Sequence, residues 1–313
     1  MSPEATAGET HVAEDSDTDG DSNAPPDPEA DTEESTDQPE SEAQSVDLAS
    51  DAGGFACEAT VGTLEAYFGQ FVPILDEMTV HLEPTGLEGR GVDPANVAMV
   101  DEGLDESAFA HYSSTGGLIG VDLNRLMDIL SIGDAGDSVR MELDQETRKL
   151  EISIDTLEYT LALIDPDSIR AEPEIPDLEL PAKVTLEGSD LKRAVTAAEM
   201  VSDHIRLQVD QTEAGEDALI FSAEGDTDDV TLELPREDLI DLEMGDGDSL
   251  FSLDYLADFE AVIPETAAVD LKLGSEMPVF IEFEHIENVD DGDDGAPHAE
   301  VLQMLAPRIS SED

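Results

Sequence analysis

The sequence predicts an α+β chain made of two tandem copies of one domain, each with two short helices and many short antiparallel strands. Three observations carry that expectation. From Phe55 onward, segments with an apolar residue at every second position alternate with segments of helical period; the order of elements recurs in the second half; and the four-proline stretch "DPDSIRAEPEIPDLELP" (165–181) separates the halves. The expected organisation is an acidic tail over 1–53, a first domain over 54–164, a linker over 165–181, a second domain over 182–309 and a short tail over 310–313.

In the first copy, "GFACEATV" reads as a strand and "GTLEAYFGQFV" as a short helix cut off by Gly69 and Pro73. "MTVHLEPTGLEGRGVDPANVAMVDEGL" follows as strands joined by Gly and Pro turns. "GGLIGVDLNRLMDILSIG" runs from a strand into a helix with Leu123, Leu126, Met127 and Leu130 on one face, and "SVRMELDQETRKLEISIDTLEYTLALI" gives three strands in a meander. In the second copy, "PAKVTLEGSDLKRAVTAAEMVSDHIRLQV" reads strand, helix, strand. "ALIFSAEGDTDDVTLELP" adds a strand pair, "SLFSLDYLADFEAVIP" a strand and helix, and "AVDLKLGSEMPVFIEFEHI" a hairpin.

Composition bounds the chemistry. With 79 Asp plus Glu against 13 Lys plus Arg, the formal net charge is -66, so free nucleic acid is repelled unless something offsets the carboxylates. Apolar residues make up 39% of the chain and form ordered Val/Ile/Leu runs beyond residue 54, which separates a folded body from a disordered acidic polymer. The excess charge continues into that body, as in proteins of a salt-rich cytoplasm. Residues 1–53 contain no Lys, Arg or aromatic residue and read as a solvated, self-repelling tail. Inside it, "DSDTDG" (15–20) copies the start of a calcium loop, but the twelfth position, where a bidentate Glu belongs, is Pro26. The single Cys57 leaves no internal disulfide to form, and no apolar run nears the ~18 residues of a membrane span. A cytoplasmic location is expected.

No catalytic or metal site is expected. The six histidines are scattered without paired spacing or neighbouring cysteines. No Gly-rich loop ends in Lys-Ser/Thr, and no Gly-x-Ser-x-Gly elbow occurs, so no nucleotide or other cofactor is implied. Carboxylate pairs such as Asp228 and Asp229 carry little information in so acidic a chain.

Seven stretches, in order and spacing, resemble the archaeal and eukaryotic sliding clamp family, PCNA. They are "VDPANVAMV" (Val92 to Val100), "LALIDPDSI" (Leu161 to Ile169), "VSDHIRL" (Val201 to Leu207), "FSAEGDTDDV" (Phe221 to Val230), "FSLDYL" (Phe251 to Leu256), "SEMPVFIEF" (Ser275 to Phe283) and "LAPRI" (Leu305 to Ile309). The resemblance implies the DNA clamp fold and a homotrimeric ring, with sheets outside and helices lining a central channel. Such a ring encircles duplex DNA, confers processivity on DNA polymerase by topology, is opened by a clamp loader, and performs no catalysis itself. It further implies an apolar pocket for short peptides of DNA polymerase, flap endonuclease and DNA ligase, at Val92, Val97, Ile169, Pro278, Met304, Ala306, Pro307 and Ile309. Subunits would join through Thr156, Leu157, Tyr159, Leu161 and Leu163 of one chain and Asp229, Val230, Leu232 and Leu234 of the next.

The chain also departs from the family pattern. Positions that commonly carry channel lysines read Ala66, Tyr67, Pro73, Asp128, Ser131 and Ala261, leaving Arg125, Lys192 and Arg193 as the DNA-facing cations. Met304 stands where an aromatic is common, and "ENVDDGDDGAPHAE" puts an acidic turn before the final strand. Two other readings compete with the clamp: a divergent paralogue acting as an interaction platform or mixed-ring subunit without encircling DNA, and a metal-dependent hydrolase using clustered carboxylates.

Overall fold

The structure is a computed structural model that describes residues 54–144, 146–285 and 298–308. The acidic tail with its calcium-like motif, the acidic turn before the final strand (apart from its end) and Ile309 lie outside the described residues.

The first repeat runs β1 (Phe55–Thr60), α1 (Val61–Gly69), β2 (Glu77–Glu83), β3 (Gly86–Val92), β4 (Ala98–Asp105), β5 (His111–Ser114), β6 (Leu118–Asp122), α2 (Leu123–Leu130), β7 (Ser138–Asp144), β8 (Lys149–Ile154) and β9 (Leu157–Ala162). The second runs β10 (Ala182–Glu187), α3 (Gly188–Glu199), β11 (His204–Gln211), β12 (Asp217–Glu224), β13 (Asp229–Pro235), β14 (Asp241–Glu243), β15 (Gly247–Ser252), α4 (Leu253–Glu260), β16 (Ala268–Leu273), β17 (Val279–His285) and β18 (Ala299–Leu305). The repeat expected from sequence is therefore present element for element.

Local chemistry explains the helices. Thr60 caps α1 by accepting from Thr63 N at 3.1 Å, and Asp122 caps α2 by accepting from Arg125 N at 2.8 Å. α1 stops at Gly69, as the Gly69 and Pro73 signals predict. On α2 the buried set is Leu123, Leu126, Ile129 and Leu130; Met127, expected on that face, is only half-buried because Ile129 lies nearer its centre. α1 packs beside α2, and α3 beside α4. The 4-residue β5 and 3-residue β14 were invisible in sequence, since such short edge strands offer too few alternations.

The strands form three sheets: β5-β1-β7-β8-β9, β13-β12-β11-β15, and a nine-stranded sheet β14-β10-β16-β17-β18-β4-β3-β2-β6. The last is the five-strand set of the second repeat fused to the four-strand set of the first by antiparallel pairing of β18 with β4, from Ala299↔Leu104 to Leu305↔Ala98.

The ladders fix which residues of the two repeats correspond. Thr60 and Glu187 each precede a first helix and pair with Ser138 and Ala268; Asp122 and Ser252 each precede a second helix and pair with Glu77 and His204. From the second anchor, Val80 pairs with Gly89 and Gly89 with Glu102, while Leu207 pairs with Phe221 and Phe221 with Leu232. Glu102 therefore matches Leu232. From the first anchor, Val139 leads through Ile154 to Leu157, and Val269 through Phe283 to Val301, so Tyr159 matches Gln303. An independent pair of hydrogen bonds agrees: Ile164 N donates to Gly120 O at 2.8 Å, and Arg308 N to Leu250 O at 2.7 Å.

Candidate functional site

Three segments meet on the nine-stranded sheet where the repeats join: the turn after β3, the residues after β9 and the residues after β18. Asp93 organises the turn. Its carboxylate accepts from Ala95 N at 2.9 Å, Val97 N at 2.6 Å and Ala98 N at 2.8 Å, and from the Tyr255 hydroxyl of α4 at 2.8 Å. Burial pushes the Asp93 carboxyl up, but these four donors outweigh it and hold its pKa below the usual value. The Asp93–Tyr255 bond crosses from the first repeat to the second, so the turn is fixed to both. Asn96 supplies the left-handed residue of the turn at φ 58°, a conformation Asn tolerates.

Beyond β9, Arg170 donates to Asp93 O at 2.7 Å and also to Asn96 Oδ1, fastening the start of the linker to the same turn. Ile169 packs over Gly120 so closely that a Cβ there would lie 2.6 Å from Ile169 Cδ1. Further along, His81 Nε2 on β2 lies 2.8 and 3.0 Å from the two carboxylate oxygens of Glu172. After β18, Ala306 N donates to Val97 O at 2.8 Å.

These ties gather the expected peptide-contact residues. Val92, Met99, Met304 and Phe280 form one row across β3, β4, β18 and β17, because each pairs with the next. Val92, Val97, Ile169, Pro278, Met304, Ala306 and Pro307 are all half-buried, so the seam offers apolar surface that is neither sealed nor fully exposed. Asp93, Arg170 and Tyr255 were missed by sequence reasoning. The signal for Asp93 was present in "VDPAN", whose Asp-Pro and Asn are turn formers. Tyr255 lies within "FSLDYL", but nothing in that stretch tied it to Asp93, 162 residues away.

The PCNA N-terminal domain model matches residues 61–167 and the PCNA C-terminal domain model residues 174–290. The chain belongs to the proliferating cell nuclear antigen family. It is 54% identical over 258 residues to the DNA polymerase sliding clamp of Haloarcula marismortui, a match covering 82% of this chain and 100% of that one. The DNA polymerase sliding clamp of Halobacterium salinarum is also 54% identical, over 257 residues, covering 82% of this chain and 99% of the relative. Among solved structures, A. fulgidus PCNA with the C-terminal region of FEN-1 bound is similar at TM-score 0.74 and 34% identity, covering 82% of this chain and 100% of that one.

Within this PCNA fold, the residues expected at subunit contacts lie on two sheet edges. β9 closes one sheet and β13 another, and neither has a second strand beside it among the described residues. β9 is shorter than expected: Thr156 sits in the preceding turn with Asp155 at φ 49°, and Leu163 follows the strand. Leu157, Tyr159, Leu163, Val230 and Leu232 are half-buried, Leu161 and Leu234 already buried, and Asp229 exposed.

The three candidate DNA-facing cations each have a partner inside the chain. Arg125 donates to the Tyr159 hydroxyl from Nε at 2.9 Å and Nη2 at 2.6 Å, with its guanidinium 5.6 Å from the ring centre. Lys192 pairs with Glu265 at 2.6 Å and Arg193 with Asp190 at 3.1 Å. Tyr67, placed by sequence among the channel-facing positions, is instead fully buried and packs edge-on against Phe68 and Phe71. Its hydroxyl sits over Gly89, where a Cβ would be 3.1 Å away.

Proposed function

We propose that three copies of this chain close into a ring that encircles duplex DNA in the cytoplasm, holds DNA polymerase on its template, and performs no catalysis of its own. One observation carries the reading. Every strand has the same neighbours in both repeats, except that β18 and β4 pair with each other while their counterparts β9 and β13 remain edges. Pairing β9 of one copy with β13 of the next repeats the contact already present inside the chain. A head-to-tail contact of this kind closes when the rotation allows, and removes both edges.

The internal register supplies the external one. Gln303↔Val100 and Val301↔Glu102 translate into Tyr159 opposite Val230 and Leu157 opposite Leu232 of the next subunit. These residues are half-buried, whereas Gln303, Val100, Val301 and Glu102 are at most 3% exposed, which fits a partner missing from the isolated chain. Arg125, Lys192 and Arg193 would face the DNA. The half-buried seam around Met304 and Pro307 would take a short peptide with an apolar anchor, as the FEN-1 segment bound to A. fulgidus PCNA suggests. By the same route it would serve DNA polymerase, flap endonuclease, DNA ligase and the clamp loader.

Light scattering in concentrated potassium chloride should give about three times the 33.5 kDa chain mass, and the ring should load onto nicked circular DNA. A single-chain mass at every salt concentration would overturn the ring. The engagement of all three candidate cations favours a second reading, a mixed-ring subunit or interaction platform that does not encircle DNA itself. Trimers that never load would favour that reading.

A further inference from the structure

Among the described residues, four buried side-chain atoms lack a hydrogen-bond partner: Tyr67 Oη, Glu102 Oε2, Gln303 Oε1 and His111 Nε2. The first three belong to one place. Tyr67 and Gln303 are 0% exposed and Glu102 is 2% exposed, so bulk solvent reaches none of them. The Tyr67 hydroxyl lies 3.1 Å from where a Cβ of Gly89 would stand, and Gly89 pairs with Glu102. Glu102 pairs in turn with Val301, and Gln303 is the next residue of β18 on the same inner face, since side chains alternate along a strand. Gln303 Nε2 donates to Gln70 Oε1 at 3.4 Å, and Gln70 lies three residues beyond Tyr67, at the end of α1. The circuit closes. The three orphaned atoms ring one interior space, with α1 on one side and β3, β4 and β18 on the other.

We infer that a single buried water molecule occupies this space, donating to Gln303 Oε1 and hydrogen-bonded to Glu102 Oε2 and the Tyr67 hydroxyl. The three side chains are not free to satisfy one another. Tyr67 is wedged edge-on against Phe68 and Phe71, Glu102 Oε1 lies 2.8 Å from His285 Nε2, and Gln303 is held by Gln70. The chemistry of the set selects water. Gln303 Oε1 can only accept, the tyrosine hydroxyl can donate and accept, and a carboxyl accepts when ionised and donates when protonated. Water carries two donors and two acceptors, so it serves all three atoms in either protonation state of Glu102, and three bonds are typical of a buried water. A hard cation asks for about six or more oxygens, and burial disfavours the charged carboxylate that would be its main ligand. The site is particular to the junction. The residues matching Tyr67, Glu102 and Gln303 in the other repeat are Ala194, Leu232 and Tyr159, and the Tyr159 hydroxyl is already held by Arg125. The water thus links α1 to both strands that join the repeats, and a shift of β18 along β4 would break that link. Nothing in this depends on the ring.

The test uses the full chain in concentrated potassium chloride made up in oxygen-17 water, where magnetic relaxation dispersion counts waters that stay bound longer than the protein takes to tumble. Wild type is compared with Tyr67→Phe and with Tyr67→Phe combined with Gln303→Leu. The expected result is a loss of about one long-lived water per chain in the double variant, whatever number is held elsewhere. An unchanged count overturns the inference. Tyr67→Phe deletes a single oxygen and keeps the comparison readable if the double variant does not fold: its water should leave about tenfold faster, having lost one of its bonds, and an unaltered residence time counts against the site. Crystals of the wild type grown from rubidium chloride give the second readout. A peak between the three atoms without anomalous signal supports the water. Anomalous rubidium signal there replaces it with a cation, and a direct hydrogen bond between Tyr67 and Glu102 or Gln303 with no peak removes the site.

Discussion

The junction inside the chain and the proposed joint between β9 and β13 of neighbouring copies would be two versions of one contact, built with different chemistry. At the junction, Glu102 on β4 is 2% exposed and lies 2.8 Å from His285 Nε2 on β17, with Gln303 and Gln70 beside it. At the edges Leu232 matches Glu102, Tyr159 matches Gln303, and Ala197 matches Gln70 because Val61 and Gly188 open equivalent helices; His285 has no counterpart, since the first repeat turns back at Asp155 and Thr156. Outside, the junction has cations to answer its carboxylates, with Arg90 2.6 Å from Asp101 and Lys272 2.5 Å from Glu282. Neither β4 and β18 nor β9 and β13 carry a Lys or Arg; the difference lies on the flanking strands, where the positions matching Arg90 and Lys272 are Ser222 and Glu142, while the edges expose Glu158, Asp229 and Glu233. A junction held covalently within one chain is never rehydrated, so it can keep buried polar groups that specify one register. A joint that must open and close does better without them, because each opening would expose and each closing would strip a polar group of water. Its like-charged outer face should also make closure require salt.

The comparison is broken most severely by moving the junction's carboxylate to the edge. Leu232→Glu would place a carboxylate at the proposed joint opposite Leu157, where the turn at Asp155 and Thr156 offers no counterpart of His285. An unpaired buried charge costs on the order of several kcal/mol per joint. The single chain should fold normally, since Leu232 is half-exposed in it, but light scattering should show no trimer even in concentrated salt. The reverse damage is Glu102→Ala, which removes His285's partner and opens a cavity at the junction. A loss of about 2–4 kcal/mol in chemical unfolding is expected.

A subtler substitution separates the two buried groups. Burial raises the Glu102 carboxyl well above its usual range and lowers His285 to about 4, so the folded junction disfavours the charged form of each. The two then act oppositely on stability. A lowered His pKa means the unfolded chain takes up a proton below about 6.5 that the folded chain refuses, so stability falls as pH falls toward 4. A raised Glu pKa means the folded chain holds a proton that the unfolded chain releases above about 4.5, so stability rises as pH falls over the same range. Where the two windows overlap, above about pH 4.5, the two contributions oppose each other. Glu102→Gln removes one side of the balance. That variant should lose roughly 1 kcal/mol per pH unit below 6.5, while wild type falls less steeply because Glu102 opposes His285. Parallel pH profiles for the two proteins would refute the assignment.

The repeated architecture was legible because alternation such as that of "KLEISI" and the Leu spacing of α2 depend on which face a residue presents, and that is set locally. Polar contacts that join the repeats were not legible. Tyr67 reads in sequence as one more residue of a surface helix, and only the absence of a side chain at Gly89, two strands away, makes room to bury its hydroxyl. Glu102 and His285 sit 183 residues apart, and nothing near either one distinguishes it from the many surface carboxylates and scattered histidines. The proposed peptide seam falls between these cases. Its apolar members were expected from the family resemblance, but Asp93, Arg170 and Tyr255, which tie the turn and linker together, act through contacts that sequence spacing does not encode.

Asp93 gives the next prediction. Asp93→Ala strips three backbone N–H groups and the Tyr255 hydroxyl of their acceptor, which should cost about 2 kcal/mol and loosen the turn carrying Val92 and Val97. A fluorescent peptide with an aliphatic and two aromatic anchors should bind about tenfold more weakly, while the trimer mass stays unchanged because the turn is far in sequence from β9 and β13. Because the Asp93 pKa is lowered, its support is complete above the unfolded value near 4 and is lost as pH falls through the folded value. Peptide binding by wild type should weaken in that acid window, and the variant should lack that step.

The smallest expected effect concerns the three cations proposed to face DNA. Lys192 and Arg193 are tied to Glu265 and Asp190, so a phosphate must compete with a carboxylate that is already in place. Arg125 is turned toward Tyr159 at the joint. A surface with three such residues releases few counterions on binding, and any attraction to phosphate must come through dissolved cations shared between carboxylates and DNA. Lys192→Gln should therefore change the slope of log affinity against log salt by clearly less than the ~0.9 expected for one full phosphate contact. Arg125→Gln should act differently, leaving that slope almost untouched but lowering trimer stability, because its two hydrogen bonds fix Tyr159. A slope change near one for Lys192, or an unaltered trimer for Arg125, would return these residues to direct phosphate binding and remove the distinction drawn between joint and channel.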